Sequence, residues 1–537
     1  MKFDVKFAAK DRAMTSVERF TRDEDGHIVP FTVVMLTLML TVAGMGLDII
    51  QFETHRTKMQ QTLDRATLAA ASLTQELDAE DVVYDYFAKA NLSETLRVVN
   101  FERTMNSSTV YAEADMEITP TFFNMYDFEN DTKLVASAKS SAEQAINNIE
   151  IMLVLDVSGS MSGTKLNNLK SAATEFIDTV LEQDNENRVS IGIVPYNGQV
   201  NMPQYLQNLF TARQDDHNVA DVNCFDLPAA TYASLGLPTT TAMPVTAHAD
   251  TFSGTSTGGY IAPTDGNAIV APGNRWCPPS TVNVVRAPTN NATQLKNHIN
   301  GFTAIGATSI NAGLKWGLAL LDPSSSNIID GMIAAGQTPG YFGSRPAAYD
   351  DEDAMKIIVL MTDGEHFAEE RMNAGYRSGN SPIWRHTDGR YSVFHNRANT
   401  NNDWYYPHNN SWNAARYGGN NAVQQTWPQL WNSLRVSYVA QQFWARPGIL
   451  TQTNAMNMFR TQTPVANMNT QLQTICAAGK ARDVVIYGIA FEAPAGGRTQ
   501  IENCASSPSH YFESSGLEIR TAFRSIATNI SQLKLTQ

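Results

Sequence analysis

An uncharged stretch of 20 residues, Ile28 to Leu47, constrains this chain more than any other feature; it reads IVPFTVVMLTLMLTVAGMGL. As a helix it rises about 30 Å, the thickness of a bilayer's hydrocarbon core. Asp23, Glu24, Asp25 and His27 bound it on one side and Asp48 on the other. The apolar region of a signal peptide runs only about 7–15 residues and lies closer to the start. Downstream, the residues Asp48-Ile-Ile-Gln-Phe52 show no small-x-small cleavage pattern. The expectation is a retained membrane helix at 28–50. Pro30 falls in its first turn, where a missing N–H costs little. Lys2, Lys6, Lys10, Arg12, Arg19 and Arg22 precede the span, against Arg56, Lys58 and Arg65 after it. The positive-inside rule then places residues 1–27 in the cytoplasm and the body outside.

The cysteines agree with export. Cys224, Cys277, Cys476 and Cys504 all follow the span. An even number in an oxidising compartment suggests two disulfides, although four buried thiols would satisfy the count as well. Of three connectivities, Cys224–Cys277 with Cys476–Cys504 is preferred, because each pair brackets one loop-rich segment. Lys and Arg total 39 against 53 Asp and Glu, a net charge of −14. That excludes a general nucleic-acid binder, which needs a basic surface.

Beyond the span the texture changes. Residues 49 to about 92 are rich in Ala, Leu, Gln and Glu and read as helix, with a break near Leu77–Glu80. Residues 94–140 show β-branched residues in partial alternation. A small α+β module at 51–147 follows. From 148 onward, short aliphatic runs such as IEIMLVLDV (149–157) and AMKIIVLMTDG (354–364) alternate with amphipathic helices. This pattern implies a mostly parallel α/β sheet with helices on both faces. Two stretches break the rhythm, 198–290 and 366–450, and are read as insertions with structure of their own. The second holds nine Asn between Asn396 and Asn421, with Trp404, Tyr405, Tyr406, Trp412 and Tyr417 nearby. Stacking rings and amides suit a glycan or a host surface; a packed cap is the preferred reading. The insertion starts just after Asp363, so it should overhang that loop.

The chemistry sits at strand ends. Asp156, Ser158 and Ser160 follow the first buried strand. Ligands of such sheets bind at the carboxyl ends of the strands. One carboxylate and two hydroxyls are hard oxygen donors, suited to Mg²⁺ with Mn²⁺ or Ca²⁺ as alternatives, and not to zinc. Thr308 precedes a helix, and Thr362-Asp363-Gly364 ends another buried strand. His366 follows that loop and reads as a loop residue, not a catalyst.

Asp156-Val-Ser-Gly-Ser160, Thr308 and Thr362-Asp363-Gly364 resemble the metal-ion-dependent adhesion site of von Willebrand factor A domains. The resemblance implies a doubly wound sheet and a divalent cation held by Asp156, Ser158, Ser160, Thr308 and Asp363. A protein partner's carboxylate would complete the shell. The N-terminus resembles TadE/TadG-like proteins of Flp (Tad) pilus assembly, through Asp25-Gly26, the apolar run, Asp48 and Gln61-x-x-Asp64-x-Ala66-x-Leu68-Ala-Ala-Ala71. The order of membrane helix, small module and terminal A-type domain (148–537) is similar to TadG. This implies an inner-membrane, single-pass, non-enzymatic component of pilus assembly or adhesion, with its bulk in the periplasm or outside the cell. Prepilin-peptidase substrates carry Glu five residues after the cleaved Gly, whereas Phe31 stands there; no processing is expected. Two other readings compete. A metal-dependent hydrolase would need a base or clamp beside the metal, and Lys165 is the candidate. A structural tether would use the ion for stability alone.

Overall fold

The computed structural model describes residues 28–536 apart from 73–74, 76, 104–106, 125–131, 146–147, 183, 185–186, 211–212, 215–216, 218–221, 257, 271 and 352. Residues 1–27, read above as cytoplasmic, lie outside the described residues. The chain forms two compact units, one ending at residue 145 and one spanning 146–536.

In the first unit, α1 (Ile28–Ala70) is one continuous helix of 43 residues. It is about 65 Å long, twice a bilayer core. From Ile28 to Leu40 it is exposed on every side, with Val34 and Leu40 each keeping more than 60% of their surface. It is the one helix among the described residues long and apolar enough to cross a membrane. Past Asp48 a single stripe takes over. Met59, Leu63, Ala66 and Ala70, three or four apart, are fully buried. They pack on an antiparallel sheet of β1 (Leu96–Arg103), β2 (Ser107–Ile118) and β3 (Leu134–Ala145). Its inner face is Val110, Ala112, Ala114, Ala136 and Ala138, small enough for close helix approach. α2 (Ala79–Lys89) adds Val82, Val83 and Phe87 to this core. The helix breaks earlier than the pattern suggested, at Ala70, because the chain must reverse to bring α2 onto the same core. Asp78 caps α2 by accepting the Glu80 N–H at 3.0 Å.

The second unit is built on a six-stranded sheet of β4 (Asn148–Asp156), β5 (Val189–Tyr196), β6 (Arg286–Thr289), β7 (Ala354–Thr362), β8 (Val485–Phe491) and β9 (Tyr511–Ser514). The order is β9-β8-β7-β4-β5-β6, parallel except for β6. Successive side chains of β4 and β7 enter opposite cores. Met152, Val154, Ile358 and Leu360 face the side of α5 (Ile310–Leu321) and α6 (Val465–Lys480). Ile151, Leu153, Leu155, Ile357 and Val359 face α3 (Thr164–Leu181), α4 (Ala292–Asn300) and α8 (Glu518–Thr536). The helix α7 (Ala495–Cys504) lies between β8 and β9. Burial on both faces is why the strands read as unbroken apolar runs. The α/β class with helices on both faces is as expected.

The insertions differ from the expectation in two ways. Residues 286–289, counted within the first, form the edge strand β6, too short and too proline-interrupted to read as strand. The second extends past 450, because Glu369–Met372 pairs with Arg460–Thr463 as an antiparallel ladder, reinforced by Arg460 on Glu370 at 2.9 Å. The two insertions also share one core: Ala247, Ala249 and Ala268 of the first meet Ile383, Trp431, Tyr438 and Phe443 of the second. The second contains a five-stranded antiparallel sheet, on which Arg416 stacks over Trp384 at 4.1 Å and Arg397 over Trp412 at 3.9 Å. Both preferred disulfides are present, with Cα atoms 5.7 Å apart for Cys224–Cys277 and 5.2 Å for Cys476–Cys504. The second does not bracket loops. It ties α6 to α7 across β8.

Candidate functional site

The strand order reverses between β4 and β7, which opens a crevice at their carboxyl ends. Leu155 pairs with Met361, so Asp156 and Thr362 come side by side at the tips. Asp156 is fully buried. Its Oδ2 accepts the Thr362 hydroxyl at 2.7 Å and its Oδ1 accepts the Ser158 N–H at 2.8 Å. Ser158 Oγ lies 3.0 Å from Ser160 Oγ, and Ser160 donates to Asp363 Oδ1 at 2.7 Å. Four of the five expected residues are thereby linked: Ser158, Ser160 and Asp363 through side chains, Asp156 through the Ser158 backbone.

Thr308 arrives by backbone bonds. The Ile305 N–H donates to Val157 O at 2.9 Å, and the Gly159 N–H donates to Gly306 O at 3.0 Å. Gly306 has a φ of +81°, and a Cβ there would come 2.9 Å from Asn197 Nδ2, so glycine is required twice over. Asn197 completes the clamp, donating to Ile305 O at 3.1 Å and accepting the Ser309 N–H at 2.8 Å. A Cβ built on Gly364 would lie 3.7 Å from Thr308 Oγ1 and 4.0 Å from Ser160 Oγ. The Thr308 hydroxyl therefore borders the same crevice. Sequence reading missed Asn197 as a positioning residue; its one signal was a place at the tip of β5.

The electrostatics follow from burial. Asp156 is pushed up to about 7, first by loss of water and then by the neighbouring Asp363 carboxylate. Two carboxylates held this close out of water favour a cation between them. Lys165, in the first turn of α3, donates to Asp363 Oδ2 at 2.9 Å. His366 is buried, with Nε2 accepting the Asn311 N–H at 3.0 Å and Nδ1 at 2.7 Å from Asn469 Oδ1. Burial holds its imidazole down at about 4. Both nitrogens are used inside the fold, as suits a structural residue.

The donor set fits Mg²⁺. That ion commonly takes one or two protein carboxylates and keeps water or a partner's oxygen for the rest. Among the described residues no group of three or more His, Cys, Asp and Glu side chains is placed to hold a metal. The crevice is lined by hydroxyls and two carboxylates. Beside it, Phe367 donates its N–H to Thr308 O at 2.9 Å and is 43% exposed. Its ring packs on Phe252 at 5.7 Å and Trp276 at 6.2 Å, both from the first insertion. The wall next to the Asp363 loop is thus built by both insertions. A cavity of about 890 Å³, lined by Asp322, Tyr349 and Arg482 among others, lies away from these residues.

No curated protein matches the chain. Several solved pilus structures are similar to it. They include the vWF domain of the type V pili tip protein Mfa5 from Porphyromonas gingivalis (13% identity, 72% of this chain and 96% of that one, TM-score 0.31). Others are the pilus adhesin SpaC from Lactobacillus rhamnosus GG (10%, 81% and 33%, 0.28) and the pilus adhesin RrgA from Streptococcus pneumoniae (10%, 81% and 50%, 0.30). The chain spans only a third of SpaC and half of RrgA. Residues 26–73 match the family model described as "Tad: Putative Flp pilus-assembly TadE/G-like". The matched residues hold the whole of α1, its apolar run and its packed stripe together, so the N-terminal part of this chain is similar to the TadE/G-like family.

Proposed function

We propose that this chain is a membrane-anchored component of pilus assembly or adhesion that binds a protein partner through a divalent cation. Pilus association rests on the TadE/G-like segment and its long apolar helix. The metal-dependent reading rests on one observation: Asp156 and Asp363 converge, buried, at the strand reversal, with the hydroxyls of Ser158, Ser160 and Thr308 around them. Bound there, the cation would supply a positive centre for an incoming carboxylate. Asp156 and Asp363 would neutralise it, and the serine and threonine hydroxyls would position it. Phe367, exposed beside Thr308, would give the partner an apolar foothold next to its acidic residue. The helix would anchor the chain in the inner membrane with its bulk outside the cytoplasm.

Lys165 on Asp363 supplies the clamp that a hydrolase would need. His366, locked between Asn311 and Asn469, faces the fold and not the crevice. The binding reading is the better supported. Its test is capture of pilus and envelope proteins by the full chain in detergent, with Mg²⁺ and with EDTA. Mg²⁺-dependent capture that Asp156→Ala abolishes is expected. Equal capture in EDTA would overturn it.

A further inference from the structure

The uncharged run ends at Leu47, but the exposed apolar surface of α1 continues through Ile49 and Ile50. Within that last stretch one side of the helix is covered. The covering segment is the turn after β2, residues 119–124. Asp48 is buried there, and its carboxylate accepts three successive backbone N–H groups: Thr121 at 3.0 Å, Phe122 at 2.7 Å and Phe123 at 2.9 Å. The Phe122 ring lies over Gly44, where a Cβ would come within 2.2 Å of it. Gly44 stands one helical turn, about 6 Å, deeper into the apolar run than Asp48.

These facts solve two problems at once. Irregular backbone at membrane depth is excluded unless its N–H groups are satisfied. A carboxylate at that depth is costly unless it is fully hydrogen-bonded. Here each answers the other: Asp48 satisfies the turn, and the turn satisfies Asp48. Phe122 and Phe123 remain partly exposed, beside the exposed Leu47, Ile49 and Ile50 that flank Asp48 in sequence.

We infer that the 119–124 turn sits in the lipid, at the headgroup–hydrocarbon boundary, with Phe122 and Phe123 as interfacial anchors and Asp48 as the residue that positions it. The small module is then seated on the membrane at two points, the helix and this turn. Its orientation to the bilayer is fixed, and it does not swing on a single tether. The inference rests on α1 being a membrane helix.

The test uses the full chain in vesicles of phosphatidylcholine and phosphatidylglycerol. No described cysteine is free, so one introduced thiol takes a fluorescent label selectively. Labels are placed at Phe123→Cys, at Leu40→Cys within the span, and at Glu102→Cys, which lies at the far end of the β1–β2 pair. Doxyl-lipid and aqueous iodide serve as quenchers. Quenching by doxyl-lipid and protection from iodide are expected at 40 and 123, with the reverse at 102. Adding Asp48→Ala should lose the lipid quenching at 123 and keep it at 40. Iodide quenching at 123 with lipid quenching intact at 40 would overturn the seated turn while leaving the anchor standing. Iodide quenching at 40 would overturn the anchor and the inference with it. Lipid quenching at 123 that survives Asp48→Ala would remove the role of Asp48.

Discussion

Lys165 donates its ammonium to the Asp363 carboxylate at 2.9 Å, so one of the two charges that would hold a cation is already paired. Asp363 is enclosed, whereas the Lys165 side chain keeps 27% of its surface. A cation entering the crevice must compete with this lysine. Lys165→Met should therefore bind Mg²⁺ more tightly, by about 1 kcal/mol or roughly fivefold. Isothermal titration of the full chain in detergent checks it; equal or weaker affinity would show that Lys165 does not compete.

Cation binding to the folded state alone raises stability by mass action. At about 100 times Kd the gain is roughly 2.7 kcal/mol, or about 3 °C in the melting of a domain this large. The shift should vanish with EDTA and be absent in Asp156→Ala. A shift that persists in Asp156→Ala would place the ion elsewhere.

His366 predicts an acid limb. Its folded value is held at about 4 by burial, below the usual 6.5. Between those values the unfolded chain takes up a proton that the folded chain refuses. Its contribution is thus fully present above pH 6.5 and is lost as pH falls toward 4. The loss is about 3 kcal/mol at the bottom of that window. His366→Gln keeps a donor and an acceptor, so it should flatten this limb in denaturant titrations at pH 4, 5, 6 and 7. An unchanged slope would assign the limb to other groups.

The Cys476–Cys504 bridge closes a separation of 28 residues. Chain entropy puts its worth at about 3–4 kcal/mol. Cys476→Ser with Cys504→Ser should lower the denaturant midpoint accordingly while leaving Cys224–Cys277 intact. Mass spectrometry of unreduced peptides reads the pairing directly.

Local chemistry carried most of the architecture. A 20-residue uncharged run has the length of a bilayer-crossing helix, and aliphatic runs of strand length fit a sheet covered on both faces. Asp156, Ser158, Ser160 and Asp363 were legible because each stands at the end of such a run, where a parallel sheet exposes its tips. The rest needed contacts between distant residues. The strand β6 has four residues and no pattern of its own; its pairing with β5 alone makes it a strand. Asn197 reads as an ordinary polar residue until Ile305 and Ser309 fold onto it. The two insertions look separate along the chain and share one core, because Ala247, Ala249 and Ala268 of the first are buried only in the cluster that holds Trp431 and Tyr438 of the second. Asp48 is the sharpest case. In sequence it merely ends an apolar run, and only the turn of Thr121, Phe122 and Phe123 against it shows how a buried carboxylate is made tolerable, by three backbone donors supplied from more than 70 residues away.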